Sequence, residues 1–289
     1  MIIVELKGGL GNQLFQCAVG RYLSYMHNTE LFLDLSFLQS HQTSSGYFTP
    51  RNYELHIFPN LYAKIIDPIH IKKYYIKPNN LKEKIIGKIR RTLDGLNVIY
   101  EANELNSSNM LKYGHNCYLI GYWQNEKYFK PIENLLRNEL TPQIALSPEQ
   151  QELLNRVQNT ESVAVHIRRG DYLKLTNHYT LLDWDYYWKA IQTLTELVKN
   201  PFFYFFTEDT QWIKDMLFNF KYEHMIMPVQ TTGIDFMLMS NCKHQIIANS
   251  TFSWWAAYLN SNANQKVVAP KKWYVSKEEN PSLTQWILI

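Results

Sequence analysis

The sequence has few cysteines and no cysteine motif. Cys17, Cys117 and Cys242 make an odd count of three in 289 residues, and no Cys-x-x-Cys pair occurs among them. A disulfide framework or a structural zinc site needs a larger and more regular set. We therefore expect three free, buried thiols in a reducing compartment.

Long apolar runs are also missing from the sequence. The apolar start at residues 1–6 is shorter than the core of a signal peptide, and a glycine-rich turn follows it at once. No apolar run approaches the roughly 20 residues that a membrane-spanning helix needs. From these absences we expect a cytoplasmic protein.

A strong excess of either charge is absent from the chain as a whole. The formal net charge is +3, which is too small to indicate a nucleic-acid partner. The local exception is residues 60–100, with nine basic against three acidic residues and with Leu81, Ile85, Ile86, Ile89 and Leu93 at helical spacing. This region predicts either a solvated helix or peripheral contact with the inner face of an anionic membrane.

A buried strand followed by charged residues is the most informative stretch that the sequence does contain. Residues 162–167 read SVAVHI, a short apolar run rich in β-branched residues. Arg168, Arg169, Gly170 and Asp171 follow where this strand should end. Ligands of open α/β sheets bind beyond the carboxyl ends of the strands, and adjacent guanidinium groups suit phosphate oxygens. The stretch predicts a site for a phosphorylated ligand.

Strand alternation separates the two arginines. His166 and Arg168 are expected on one face of the sheet and Arg169 on the other. We assign direct contact with the ligand to Arg168. Arg169 is expected to act structurally at the same site, through an acid such as Asp171. The alternative is an edge-strand Arg–Asp ion pair followed by a glycine turn.

The N-terminal residues predict a β-α-β unit. Strands are expected at residues 1–6 and 31–34, with a glycine-rich loop at 8–11 and an amphipathic helix between them. The loop glycines and Asp34 resemble a dinucleotide fingerprint, but Leu14 stands where that motif needs a third glycine. A nucleotide-dependent oxidoreductase is therefore one alternative function.

Strand and helix patterns alternate after a proline-containing linker at residues 141–148. The alternation predicts a parallel sheet with helices on both faces. We place one domain at residues 1–145 and a second at 146–289, whose first helix begins with a capping box of Ser147 and Gln150. Polar residues that follow later strands, or open later helices, are further binding candidates: Glu208, Asp209, Asp235, Asn249, Ser250 and Thr251.

Five segments resemble the α-1,2-fucosyltransferases of glycosyltransferase family 11, in the order of that family. They read GGLGNQLFQ at 8–16, GYWQ at 121–124, HIRRGDY at 166–172, IANSTFSWW at 247–255 and APKKW at 269–273. Each segment alone is a weak signal, but five in order across nearly the whole chain are specific. The resemblance implies an α/β, GT-B-like fold of two Rossmann-like domains facing a cleft.

The resemblance also implies a reaction. An inverting, metal-independent enzyme would move L-fucose from GDP-fucose to the 2-hydroxyl of a terminal galactose in an oligosaccharide. Residues 146–289 would bind GDP-fucose and residues 1–145 the acceptor. Arg168 would hold the charge of the departing β-phosphate, and Asp171 is a candidate general base. Animal relatives carry a membrane anchor, so its absence here favours a bacterial-type cytoplasmic enzyme.

Further site residues follow from the same resemblance. Gly11 and Asn12 would face the donor sugar or the acceptor, and His166 would contact the base or ribose unless it is an ordinary sheet histidine. Family members usually have Ser-Asp-Asp where this chain has TED at 207–209. Which of Glu208 and Asp209 contacts the nucleoside therefore stays open.

The remaining candidates each have a structural alternative. Asp235 resembles an acid that reads guanine in more distant relatives, but acids are also common in the first turn of a helix. Ser250 and Thr251 would bind phosphate at a helix N-terminus, although every helix needs an N-cap. Phe252 would pack against the nucleotide. A non-catalytic glycan-binding protein is the alternative to an enzyme.

A possible metal motif is discounted. Residues 183–185 read DWD, which matches the D-x-D motif of metal-dependent glycosyltransferases. Here these acids are expected to open a helix, where they cap the backbone and suit the helix dipole. We find no other metal-ligand cluster in the sequence, and we expect no cofactor or metal.

Overall fold

The chain forms two compact units in the computed structural model. The units are Met1–Thr141 and Pro142–Ile289, so the division falls inside the predicted linker and a few residues before the proposed boundary after residue 145. The described residues are 1–41, 49–74, 76–102, 105–170, 180–275 and 279–289. Asp171 lies outside them, and its candidacy as general base stays a prediction.

The first unit is built on a parallel sheet of five strands in the order β3-β2-β1-β5-β4. The sequence predicted β1 and β2, and the apolar run at residues 118–123 predicted a third strand, which corresponds to β5. It missed β3 and β4. The strands are β1 Ile2–Glu5, β2 Leu31–Asp34, β3 Lys64–Ile65, β4 Asn97–Tyr100 and β5 Cys117–Ile120.

Helix α1 lies against this sheet and is buried along most of its length. The other described helices of the unit are shorter, and α4, with 13 residues, begins and ends where the apolar spacing predicted a helix. Four short 3₁₀ turns lie at Leu55–Ile57, Leu111–Tyr113, Glu126–Tyr128 and Lys130–Ile132. The helices are α1 Leu10–Met26, α2 Ser36–Ser40, α3 Pro68–Lys72, α4 Leu81–Leu93, α5 Ser107–Met110 and α6 Glu133–Glu139.

Gly20 lets α1 approach the sheet closely. A Cβ atom at this position would lie 2.7 Å from Cδ1 of Leu31 and closer still to Cγ2 of Val4. In an open helix, Gly→Ala usually stabilises by about 0.5–1 kcal/mol. Here overpacking, which costs roughly 1–3 kcal/mol, should outweigh that gain. We expect Gly20→Ala to lower the free energy of unfolding, measured by urea denaturation; an unchanged or higher value would contradict this packing.

The second unit contains a parallel sheet of six strands in the order β11-β10-β9-β6-β7-β8. In the register of its two central strands, His166 pairs with Phe206 and Ile167 with Thr207. The residues that follow these strands therefore emerge at one edge of the sheet. The strands are β6 Ser162–Ile167, β7 Phe202–Thr207, β8 His224–Ile226, β9 His244–Ile246, β10 Val267–Ala269 and β11 Ile287–Leu288.

Helices cover both faces of the second sheet, as the alternating pattern predicted. Val163 and Val165 share a buried cluster with residues of α8 and α9. On the other face, the Tyr204 hydroxyl lies 3.0 Å from the Thr160 hydroxyl at the end of α7. The described helices are α7 Pro148–Asn159, α8 Trp184–Leu197, α9 Thr210–Met216, α10 Thr232–Asn241 and α11 Thr251–Tyr258.

Two local predictions, the start of α7 and the state of the cysteines, are confirmed. Ser147 and Gln150 form the capping box of α7, with Pro148 in its first turn. Cys17, Cys117 and Cys242 are free and buried. Within the described ranges, we find no helix with both the length and the apolar character needed to cross a bilayer.

Candidate active site

The candidate site starts where β6 and β7 end in the second unit. All six residues of β6 are buried, and Arg168 and Arg169 follow it. The Arg168 guanidinium lies 3.7 Å from the Glu208 carboxylate. The Arg169 guanidinium instead donates from Nε to Asp209 over 3.2 Å and stacks 4.3 Å above the centre of the Trp212 ring. The two arginines thus engage different carboxylates, and the described partner of Arg169 is Asp209.

The turn after β7 gives its two acids different surroundings. The Asp209 carboxylate caps α9 by accepting from the Trp212 backbone N–H over 3.2 Å, and it also holds Arg169. The Glu208 side chain is 68% exposed, and its ion-pair contact within the described part of the chain is the longer one with Arg168. Glu208 is therefore the acid of this turn that is available to a ligand.

Gly170 brings the backbone close to this carboxylate. A Cβ atom at Gly170 would lie 2.6 Å from Oε2 of Glu208. A larger residue there would make the exposed end of the Glu208 side chain move from its present position beside Arg168. Residues 170 and 208 are therefore close neighbours beyond the ends of β6 and β7.

His166 is a buried, neutral histidine at the end of β6. Burial lowers its pKa to about 3, and the nearby Arg168 charge acts in the same direction. Its Nδ1 has no hydrogen-bond partner among the described residues, and its ring centre lies 5.6 Å from that of Phe252. A buried polar atom without a partner is costly, so the alternative of an internally satisfied sheet histidine loses support.

Asp235 lies in the first turn of α10, close to the same group of residues. Burial, together with the negative charge of Glu208, raises the pKa of its carboxyl to about 7. The adjacent Phe236 ring packs 5.6 Å from the Phe252 ring, centre to centre. Asp235 therefore lies in the first turn of a helix and also close enough to Glu208 for the two carboxyl groups to interact.

The start of α11 differs from an ordinary N-cap, which was the structural alternative to phosphate binding by Ser250 and Thr251. Ser250 holds the N-cap position with extended backbone angles, but its side chain makes no capping hydrogen bond. Asn249 is buried, and its amide donates to the carbonyls of Thr180 and Trp273 over 2.8 and 2.9 Å. Asn249 thus supports the loop that precedes α11. Ser250 and Thr251 lie at the N-terminus of this helix, where free backbone N–H groups suit an anion.

In the first unit, the glycine-rich loop is held by buried glutamines. Gln13 donates to the carbonyls of Gly8 and Asn52 and accepts from the Glu54 backbone N–H, over 2.7–2.9 Å. Asn12 accepts from the Gln124 amide over 2.8 Å, and Gly11 is buried in the first turn of α1. This supporting role of Gln13 was not predicted from the sequence, although the residue lies in the motif at residues 8–16.

The structure also places the acids of the dinucleotide-like fingerprint and of the D-x-D segment. Both carboxylate oxygens of Asp34 are engaged inside the first unit, by Ser36 and by the Tyr118 hydroxyl, so Asp34 is unsuited to bind a ribose. Asp183 caps α8 by accepting from the Tyr186 backbone N–H over 3.1 Å, as predicted. Across the described parts of the chain, no three His, Cys, Asp or Glu side chains are grouped as metal ligands would be.

Comparison with known families gives this arrangement a context. The sequence model described as Glycosyl transferase family 11 matches residues 1–289. The chain belongs to glycosyltransferase family 11. The resemblance inferred from five sequence segments is therefore confirmed, and the protein is a glycosyltransferase.

Relatives within family 11 agree on the linkage in their names. An α-1,2-colitosyltransferase of Escherichia coli is 30% identical over 311 aligned positions, covering 100% of this chain and 99% of the relative. The galactoside α-(1,2)-fucosyltransferase 1 of Rattus norvegicus is 29% identical over 155 positions, covering 49% of this chain and 41% of the relative.

A solved structure agrees on the fold of this family 11 chain. A point mutant of Arabidopsis thaliana FUT1, solved in complex with GDP, matches with a TM-score of 0.50 and 10% identity. The match covers 92% of this chain and 69% of that one. The predicted fold class, an α/β GT-B-like fold with Rossmann-like units, is confirmed.

Proposed function

We propose that this protein is an inverting α-1,2-fucosyltransferase. It would move L-fucose from GDP-fucose to the 2-hydroxyl of a terminal galactose in an oligosaccharide. The observation that carries the proposal is the grouping of Arg168 and Glu208 at the ends of β6 and β7, in a chain of family 11. A guanidinium at that edge suits the pyrophosphate of a nucleotide sugar.

The second unit would hold the nucleotide. Phe252 offers a ring face to the base, beside the unpartnered Nδ1 of buried His166. Glu208 is exposed enough to accept hydrogen bonds from the nucleoside. Asp235, when ionised, would accept the N1–H and N2–H donors of guanine, a pair that adenine does not present.

The diphosphate would lie near Arg168 and the N-terminus of α11. Arg168 offers bidentate donors, and the helix N-terminus offers backbone N–H groups together with the hydroxyls of Ser250 and Thr251. Direct contacts by Asn249 and Asp209 stay predictions, as does the structural role of Arg169 at the same site. Asn249 donates to the Thr180 and Trp273 carbonyls. Asp209 accepts from the Trp212 backbone N–H and from Arg169. These bonds favour supporting roles for the three side chains.

The proposed reaction is a single displacement at the anomeric carbon of fucose. The acceptor 2-hydroxyl oxygen forms the new bond to C1 as the bond from C1 to the β-phosphate oxygen breaks. GDP leaves with the electron pair, and its growing negative charge is stabilised by Arg168 and the α11 N-terminus. The hydroxyl proton passes to a general base, for which Asp171 remains the candidate. Gly11 and Asn12 are proposed to contact the donor sugar or the acceptor from the first unit.

GDP-colitose is a second candidate donor. The relative that spans the whole chain at 30% identity is named a colitosyltransferase. Colitose is L-fucose without its 3-hydroxyl group, so a GDP-colitose donor would satisfy the same nucleotide and phosphate contacts. The two candidate donors differ at one hydroxyl, and the described contacts do not involve that part of the sugar.

Transfer assays with a donor panel test the proposed function. The donors are GDP-fucose, GDP-colitose and UDP-galactose, each offered with lactose, Galβ1,3GalNAc, Galβ1,3GlcNAc and Galβ1,4GlcNAc. We expect turnover of GDP-fucose on at least one galactoside. Turnover of GDP-colitose alone would select the second candidate. Binding of glycans without any turnover would favour a non-catalytic protein, and binding of NAD without GDP would favour an oxidoreductase.

Turnover is expected to persist after chelation. The proposal assigns the charge of the leaving group to Arg168 and to helix N–H groups, so no divalent cation is needed for that step. Initial rates with EDTA should stay within about twofold of the untreated rate. Loss of turnover with EDTA and its recovery with Mn²⁺ would contradict this assignment and would return attention to the acids at residues 183–185.

A cytoplasmic location is part of the proposal. Fractionation of producing cells tests it: activity is expected in the cytoplasm or on the inner face of the cytoplasmic membrane, and activity in an extracytoplasmic fraction would contradict it.

A further inference from the structure

Helix α4 carries an apolar stripe on its solvent-facing side. Leu81, Ile85, Ile89 and Leu93 recur every four residues, and their exposed fractions are 71%, 52%, 54% and 80%. Residues four apart lie on one face of a helix. A water-exposed row of four large aliphatic side chains is unusual, since amphipathic helices normally turn that face to the core.

The opposite side of α4 contacts the rest of the first unit. Gly87 is the buried residue of this helix, and it lies on the side away from the apolar stripe by helical geometry. The guanidinium groups of Arg90 and Arg91 donate to the backbone carbonyls of Lys73 and Tyr74. These bonds fix the rotation of the helix so that its apolar stripe points outward.

Positive charge flanks the stripe. The helix holds five basic residues and one acid, Glu83, whose carboxylate accepts from the Asn79 backbone N–H. Lys82, Lys84 and Lys88 are exposed, and their ammonium groups make no ion pair with any described residue. An apolar row between cations is complementary to a surface that carries negative charges over an apolar layer.

We propose that α4 binds the protein to an anionic lipid bilayer. The helix would lie in the plane of the interface, with the four aliphatic side chains among the acyl chains and the lysines at the lipid phosphates. Peripheral attachment is the only membrane contact proposed. It does not depend on the identity of the donor or acceptor, because none of these residues belongs to the candidate active site.

Vesicle co-sedimentation tests this attachment with the intact protein. We expect the wild type to pellet with vesicles of phosphatidylcholine mixed with phosphatidylglycerol and to remain in solution with phosphatidylcholine alone. The triple variant Lys82→Gln, Lys84→Gln, Lys88→Gln should bind anionic vesicles roughly 100-fold more weakly. The double variant Ile85→Ser, Ile89→Ser should lose roughly tenfold per side chain. Added salt should weaken wild-type binding by screening.

Matched controls come from the second unit. Leu197→Ser removes an aliphatic side chain of similar exposure, 50%, and the triple variant Lys189→Gln, Lys199→Gln, Lys214→Gln removes three exposed charges. Both should bind vesicles as the wild type does. All variants change exposed side chains, so their melting temperatures should match the wild type and exclude unfolding as the cause.

Three results would overturn the proposal. The first is a wild type that stays in solution with anionic vesicles at low salt. The second is a set of α4 variants that bind as well as the wild type. The third is a dimer, detected by light scattering, that the double variant Ile85→Ser, Ile89→Ser converts to a monomer while vesicle binding is absent. In that case the stripe joins two copies of this chain.

Discussion

Arg168→Lys should lower kcat by roughly 10²- to 10³-fold, while the affinity for GDP falls much less. Lysine keeps the positive charge but loses the planar pair of donors that fits two phosphate oxygens. A group that stabilises charge as GDP departs matters more to the transition state than to the bound donor. Steady-state kinetics and calorimetric titration with GDP, on the same preparation, separate the two effects.

Arg169→Lys is the matched control for this prediction. Arg169 bonds to Asp209 and stacks on Trp212, so its replacement should act mainly on stability. A loss of 1 kcal/mol corresponds to about 2–4 °C in melting temperature for a domain of 150–250 residues. We expect a lower melting temperature with kcat near the wild-type value. A folded Arg169→Lys with low kcat, beside a normal Arg168→Lys, would reverse the two roles.

Asp235→Ala should reduce the preference for GDP over ADP and UDP. Two hydrogen bonds from guanine to one carboxylate are at stake, and charged hydrogen bonds contribute about 1.5–3 kcal/mol each. Because water replaces part of that contribution, we expect GDP affinity to fall roughly 10- to 100-fold and ADP affinity to change little. Equal affinity of the wild type for the three nucleotides, measured by calorimetry, would remove Asp235 from the base site.

The pH dependence of GDP binding tests the same residue. Since burial and Glu208 raise the pKa of the free Asp235 carboxyl to about 7, GDP binding should require loss of a proton and should weaken as the pH falls below that value. The phosphates of GDP also titrate, but they do so equally in Asp235→Ala, which serves as the reference. A wild-type pH profile identical to that of the variant would contradict the assignment.

Stability should respond to Asp235 with a defined sign. A carboxyl whose pKa is raised on folding favours the folded state at low pH, and that contribution is lost as the pH rises through about 7. Relative to Asp235→Asn, the wild type should therefore become less stable between acid and neutral pH. This change checks the burial of the carboxyl independently of any nucleotide.

The strands and helices with strong patterns were predictable from the sequence. Helix α1 has an apolar face, β6 and β7 are continuous apolar runs, and Ser147 with Gln150 signals the start of α7. The strands that the sequence missed, β3, β4 and β11, all lie at sheet edges. Edge strands bury fewer side chains, and both residues of β3 are exposed, so little apolar periodicity remains to detect.

The candidate site was predictable in its residues but not in their partners. The family motifs drew attention to Arg168 and Ser250, and their place after a predicted strand drew attention to Glu208 and Asp209. The sequence pattern could not show that Asp209 caps α9 and also binds Arg169. The contact with Arg169 depends on the distance between the ends of β6 and β7, which the sequence alone does not give. It also could not tell that Ser250 occupies an N-cap position without making the capping bond.

Structure determination of the transfer product is the most direct test of the proposed function. The protein is incubated with GDP-β-L-fucose and the galactoside that supports turnover, and the purified product is examined by NMR. We predict an α-L-fucosyl residue, shown by the small coupling between its H1 and H2, with a correlation from that H1 to C2 of galactose. A β-fucoside would contradict inversion at the anomeric carbon, and fucose on any other galactose hydroxyl would contradict the α-1,2 assignment.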